Sequence, residues 1–163
     1  MLKLRFVSED ELTDVAELAS SIWHEYFPCI LTEGQIDYMV ERFQSYEAML
    51  SQTREKGYRY AYIEDDGIIK GYTALCPEGK KLFISKLYLL KEERGKGYGS
   101  MAIKEIFAYA SENNHLSLYL TVNKFNDKAI KAYERNGFEK IQSICTDIGD
   151  GYVMDDYVME KVL

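Results

Sequence analysis

The sequence predicts an α/β protein, residues 1–163 forming one domain with a mixed central β-sheet flanked by helices. Three observations lead there. A chain of 163 residues is one domain by size and can bury a sizeable core. The elements run in the order strand, two or three helices, three antiparallel strands, then helix, strand, helix and two more strands. No internal repeat, linker or low-complexity stretch interrupts that order.

Residues 3–7 alternate as a short strand. Ser8 with Glu11 reads as a capping box, opening a helix with Leu12, Val15, Ala16, Ala19, Ile22, Trp23 and Tyr26 on one face. Phe27-Pro28 ends it. Thr32 with Gln35 reads as a second capping box, before a helix carrying Ile36, Met39, Val40 and Phe43. A third helical piece covers about 46–55. Residues 58–64 and 68–76 form a hairpin across Asp65-Asp66-Gly67, and Pro77-Glu78-Gly79 turns the chain into an apolar run over 82–90, the length and content of a buried strand. After the charged turn 91–94 and a glycine-rich segment comes a helix with Ala102, Ile103, Ile106, Tyr109 and Ala110 on one stripe. A strand over 116–122, a short helix over 126–136 and strands over 138–146 and 152–162 complete the chain.

Composition excludes several classes. A net charge of −7 argues against nucleic acid as a partner and is compatible with a cationic small substrate. No run of 18 apolar residues exists, so no membrane span is expected. The N-terminus turns acidic at once, unlike a signal peptide. Cys29, Cys76 and Cys145 match no metal spacing and read as reduced, small buried hydrophobes of a cytoplasmic protein.

The chemistry centres on Gly95, Lys96, Gly97, Tyr98, Gly99 and Ser100. A strand, a glycine-rich turn and a helix start aim free N–H groups and the positive helix end at one point, which suits a phosphate. Lys91, Arg94, Lys96 and Lys104 surround it, as cationic partners or as solvated lysines and arginine. The nucleotide-triphosphate loop is excluded, because Gly97 follows Lys96 where Ser or Thr is required. The dinucleotide fingerprint is excluded too: the glycines are one residue short of G-x-G-x-x-G, and no acid stands among residues 113–117, about 20 residues on.

The remaining pattern is [QR]-x-x-G-x-[GA], met by Arg94, Gly97 and Gly99. It resembles the acetyl-CoA pyrophosphate loop of the GCN5-related N-acetyltransferase (GNAT) superfamily. A second stretch, residues 116–138, is similar to that family's strand-then-helix: Asn126 falls on its Asn after the strand, Ala129 on its small residue, Tyr133 on its helix Tyr and Gly137-Phe138 on its terminal pair. Lys91 departs from the family, where proline often precedes the loop.

The resemblance implies a GNAT-like fold whose two central strands splay at their C-terminal ends. Acetyl-CoA (CoA) would bind there through the main chain near Leu87, Tyr88 and Leu89, with its pyrophosphate on residues 95–100 beside Arg94 and with Asn126 and Tyr133 in reach. It implies acetyl transfer to a primary amine of a small, cationic molecule by direct attack in a ternary complex. Tyr133 would be the general acid and the Leu89 N–H the oxyanion donor; as a residue alone, Tyr133 could equally be core with a wet hydroxyl. Asn126 caps its helix, contacts cofactor, or both. Trp23, Tyr26 and Phe27 line the acceptor pocket or simply pack the core. His24 lies nearby, where a plain surface histidine would also fit.

The base stays open. The strand over 82–90 holds Ser85 and Lys86 but no carboxylate, so a water chain is as good a candidate as a side chain. The loop 147–153 often borders the acceptor site in the family. Asp150, Asp155 and Asp156 there would attract a cation or be solvated turn charges. No metal is implied. A protein lysine or N-terminal acetyltransferase and a non-catalytic acyl-CoA-binding module are the alternatives, and the exposed edges of the C-terminal strands would suit a homodimer.

Overall fold

The computed structural model describes residues 1–163. Strands β1 (Leu2–Phe6), β2 (Arg59–Asp65), β3 (Ile68–Glu78), β4 (Lys81–Leu89), β5 (Ser117–Asn123), β6 (Glu139–Gly149) and β7 (Tyr152–Val162) form a seven-stranded sheet in the order β1-β2-β3-β4-β5-β7-β6. All neighbours are antiparallel except β4 and β5, which are parallel. The helices are α1 (Leu12–Tyr26), α2 (Glu33–Gln44), α3 (Tyr46–Lys56), α4 (Tyr98–Glu112) and α5 (Asp127–Arg135). No helix is long and apolar enough to cross a membrane.

Strand alternation divides the core between the two faces of the sheet. On β2, Tyr60 and Tyr62 pack with Leu12, Val15 and Ala19 of α1, whereas Ile63 packs with Ala102 of α4. The α4 and α5 face holds the largest core, with Leu82, Ile84, Ile103, Ile106, Leu118, Leu120, Ile130 and Phe138. Trp23 and Phe27 of the α1 end join Ile36 and Met39 of α2 and Ile148 of β6 in a third cluster.

Most elements follow the sequence reading within a residue or two, with local differences. Ser8 caps a short 3-10 turn (Glu9–Glu11) that precedes α1, its N–H donating to Glu11 Oε1 at 3.3 Å. The second capping box is only half made. Thr32 accepts from the Gln35 N–H at 3.2 Å, but the Gln35 amide leaves the helix start and donates to the Val153 carbonyl at 2.8 Å. A tertiary acceptor has won over the local one. Pro77-Glu78 continues β3 instead of turning, and β6 extends to Gly149, so the last loop shrinks to a tight turn. Cys29 and Cys145 are exposed; only Cys76 is buried as expected.

The difference with most consequence lies in β4. Its apolar run is not one regular strand. Ala74 faces Lys86 and Leu75 faces Ile84, leaving Ser85 as the extra residue of a bulge. Leu82 and Ile84 therefore face α4, while Lys86 and Tyr88, of the same parity, face α1 and α3. Gly71 of β3 lies against the far end of this strand. A Cβ there would stand 2.0 Å from the Tyr88 carbonyl, so only glycine allows the approach.

Candidate active site

The bulge marks the point where β4 leaves its parallel neighbour. β4 and β5 pair only at Lys81–Ser117, Leu82–Leu118 and Phe83–Tyr119, although β4 continues to Leu89 and β5 to Asn123. A gap opens in the middle of the sheet. The Leu90 N–H donates back to the Lys70 carbonyl at 2.8 Å, so by alternation Tyr88 also turns its main chain to β3, while Leu87 and Leu89 turn theirs into the gap. This corrects the expectation for Tyr88: its peptide is committed to the sheet. Its ring sits among Trp23, Phe27 and Tyr72, with ring centroids 5.5, 6.0 and 5.7 Å away.

The glycine-rich turn lies at the end of the gap. Gly95 and Gly97 have φ of +77° and +88°, and Gly97 is the residue before the first turn of α4. The left-handed conformation at Gly97 turns the chain sharply enough for successive amides to converge. The main-chain N–H groups of Gly95, Lys96, Gly97, Tyr98, Gly99 and Ser100 have no main-chain acceptor in the protein. A Cβ built at Gly95 or Gly97 meets nothing within 4 Å, so the approach to these amides is open. Arg94 reaches back over them, donating to the Leu89 carbonyl at 2.9 Å and pairing with Glu25 of α1 at 2.6 Å, its guanidinium 4.6 Å from the Tyr26 ring centre. Lys96 projects to solvent near Glu93. Donor-rich amides, flanking cations and a strand-shaped slot fit a diphosphate joined to an extended amide chain, the build of CoA.

The other predicted residues converge from the opposite side. Asn126 is buried and caps α5, its Oδ1 accepting from the Ala129 N–H at 3.4 Å. The same oxygen accepts from the Tyr26 hydroxyl at 2.7 Å, which ties α1 to α5 across the gap. Tyr133 packs its ring against Phe138 at 5.7 Å, and burial, with Tyr26 adding to it, holds its hydroxyl protonated well above the usual tyrosine range. Trp23 and Phe27 are buried, their rings tilted with centroids 4.4 Å apart; Tyr26 is half-buried. His24 stands apart from this group, on the α1–α2 groove. Asp37 accepts from its Nε2 at 2.7 Å and raises its pKa.

The C-terminal hairpin closes one wall. The Tyr38 hydroxyl of α2 donates to the Ile148 carbonyl at 2.6 Å, and Asp150 and Gly151 form the tip. Asp155 pairs with Lys124 at 2.8 Å. Asp156, read either as attracting a cation or as a solvated turn charge, is only 4% exposed, which rules out the second. Sequence reasoning could not see this, because the alternation along β7 separates two faces without saying which one α1 and α2 cover.

A family model described as the acetyltransferase (GNAT) family matches residues 16–138. The chain belongs to the GNAT family. Its relatives include the uncharacterized N-acetyltransferase YhfO of Bacillus subtilis, 30% identical over 145 residues that cover 85% of this chain and 91% of YhfO. An uncharacterized N-acetyltransferase of Mycobacterium tuberculosis is 33% identical over 99 residues, 60% of this chain and 63% of the relative. That match therefore spans somewhat less than two thirds of the mycobacterial protein. Among solved structures, the PaiA N-acetyltransferase of Thermoplasma acidophilum, crystallised with coenzyme A, superposes over 100% of this chain and 99% of its own with a TM-score of 0.80 at 23% identity, which establishes the shared fold.

Proposed function

We propose that this GNAT protein is an acetyl-CoA-dependent N-acetyltransferase acting on a primary amine of a small, cationic molecule. The observation that carries this reading is the sheet gap itself. It presents the Leu87 and Leu89 main chain along one side and the unpaired amides of residues 95–100 at its end; Tyr133 of α5, packed against Phe138, is the proposed proton donor. When bound, acetyl-CoA supplies an activated acyl group as a thioester. Leu87 and Leu89 align the extended arm as an added strand, and the amides after Arg94 hold the diphosphate. Arg94, held by Glu25 and the Leu89 carbonyl, would add a cation beside that diphosphate.

Three tasks fall to the chain. The amine must reach the thioester carbon without its extra proton, since an alkylammonium has a pKa of about 10. The Leu89 N–H would donate to the carbonyl oxygen, which gains charge as the C–N bond forms. Tyr133 would give its hydroxyl proton to the departing thiolate as the C–S bond breaks, and would regain one through solvent from the nitrogen's surplus proton. The half-buried Tyr133 hydroxyl, kept protonated, suits that donation. Trp23, Tyr26 and Phe27 surround the acceptor side with aromatic faces, which attract alkylammonium groups. The net charge of −7 favours cations in the same sense.

Thiol release from acetyl-CoA, measured over a panel of polyamines, amino acids, amino sugars and lysine peptides, tests the reading. Turnover confined to small amines is the expected result. Turnover confined to peptides would transfer the assignment to a protein acetyltransferase, and tight acetyl-CoA binding without turnover on any amine would leave a binding module.

A further inference from the structure

We propose that Asp156 is the residue that receives the acceptor's ammonium group and takes its proton. This rests on the acetyltransferase reading above and names the group that reading leaves open. Asp156 is a carboxylate buried to 4% exposure with no ion pair and no side-chain hydrogen bond. The other buried acid, Glu64, is held by Arg5 at 2.6 Å. The one cation close to Asp156, Lys124, is engaged by its neighbour Asp155 at 2.8 Å. A buried carboxylate without a partner is costly, and proteins retain one where a ligand supplies the missing charge.

Its position fits that ligand. Asp156 faces Asn123 in register, at the end of β5 where β4 has already diverged. Met154, two residues earlier on β7, packs against the cluster of Trp23 and Phe27. Alternation puts Asp156 on the same face, that of the aromatic acceptor wall. Burial, then the charges of Tyr72, Tyr133, Tyr26 and Asp156, holds the Tyr88 hydroxyl of β4 well above the usual tyrosine range. The groups around Asp156 are thus Tyr88 from β4, Asp155 beside it on β7 and Lys124 after β5, with Tyr26 and Tyr133 around Tyr88. Aromatic faces and one free carboxylate form a receptor for a primary alkylammonium.

The step moves a single proton. The N–H bond of the ammonium breaks, an O–H bond forms on Asp156, and the electron pair stays on nitrogen for the attack. The proton then passes to solvent. Burial, with repulsion from Asp155 and against the pull of Lys124, raises the Asp156 carboxyl to about 6. Relative to an ordinary aspartate, that narrows the mismatch with an amine by about two pKa units, about 100-fold in the transfer equilibrium.

The test compares wild type, Asp156→Asn and Asp156→Glu. With any amine that wild type acetylates, Asp156→Asn should lower kcat/KM at pH 7.5 by 100-fold or more and abolish an acidic limb near pH 6, with acetyl-CoA affinity within 2-fold. Asp156→Glu should recover part of the rate and keep a limb. Binding is read separately by calorimetry in the presence of CoA, with n-butylamine and 1,4-diaminobutane as probes: Asp156→Asn should weaken both about 10-fold. Wild-type rates or an unchanged limb in Asp156→Asn, equal probe affinity in both proteins, or no binding of either probe to wild type would overturn the proposal. Binding of the probes through Asp156 with no acetylation of any amine would sink the enzyme reading while sustaining the ammonium site. Loss of acetyl-CoA binding in wild type would sink the cofactor placement alone.

Discussion

Replacing Lys86 by methionine is expected to flatten the dependence of stability on pH. The bulge at Ser85 aims Lys86 away from solvent, into a space bounded by Tyr58, Tyr60 and Gln52, with its ammonium 4.8 and 5.3 Å from the centres of the Tyr60 and Tyr58 rings. Its Nζ donates to Gln52 Oε1 at 2.9 Å and contacts the Tyr60 hydroxyl, and no carboxylate pairs with it. Burial, helped by repulsion from Lys56, lowers its pKa from 10.5 to about 7. Between those values the unfolded chain holds a proton that the folded chain releases. Stability therefore rises with pH in that window, and falls as pH drops toward the folded value. One proton over pH 7 to 9, at 1.36 kcal/mol per unit and half titrated at the lower end, amounts to about 2 kcal/mol. In Lys86→Met the Tyr60 hydroxyl keeps its bond to Gln52 Oε1, so no polar group is stranded. Urea unfolding at pH 7, 8 and 9 measures the effect. Wild type should gain about 2 kcal/mol more than Lys86→Met across that range. Equal gains in the two proteins would show that Lys86 stays charged in the fold and refute the reasoning.

Three further substitutions probe the site. Gly97→Glu puts a side chain and a negative charge at a position with φ of +88° in front of the free amides; acetyl-CoA affinity measured by calorimetry should fall by roughly 100-fold or more. Tyr133→Phe removes the proposed proton donor but keeps the ring against Phe138; kcat should drop about 10- to 100-fold with acetyl-CoA affinity little changed, as read by thiol release and calorimetry. Asn126→Ala deletes the α5 cap and the acceptor of the Tyr26 hydroxyl; thermal unfolding should register a loss of roughly 1–2 kcal/mol, and KM for the amine should rise.

Much of this architecture was legible from local patterns. The stripe of Leu12, Val15, Ala19, Ile22 and Trp23 identifies α1 because helical period and burial coincide there. The turn at Asp65-Asp66-Gly67 is readable because its residues tolerate positive φ, as Asp66 and Gly67 do. The glycine-rich turn is readable because its left-handed positions, Gly95 and Gly97, demand glycine. What escaped depends on register. The bulge at Ser85 leaves no local signature beyond a polar pair in an apolar run, yet it decides that Lys86 faces α3 and that β4 parts from β5. Asp156 is indistinguishable from Asp155 in sequence. One residue of parity makes the first an unpaired buried acid and the second a surface ion-pair partner. The Tyr26–Asn126 hydrogen bond joins residues 100 apart, and neither residue's neighbours announce it.

The rift between β4 and β5 has an evolutionary consequence. On the reading proposed above, a cradle composed mainly of peptide groups offers few side chains for mutation to alter, so the path of the backbone fixes the acetyl donor. The acceptor walls proposed at Trp23, Phe27 and the β6–β7 tip carry no such obligation. Relatives sharing the rift can therefore diverge in what they modify by repainting only those walls, and similarity along residues 82–138 says little about which amine each one prefers.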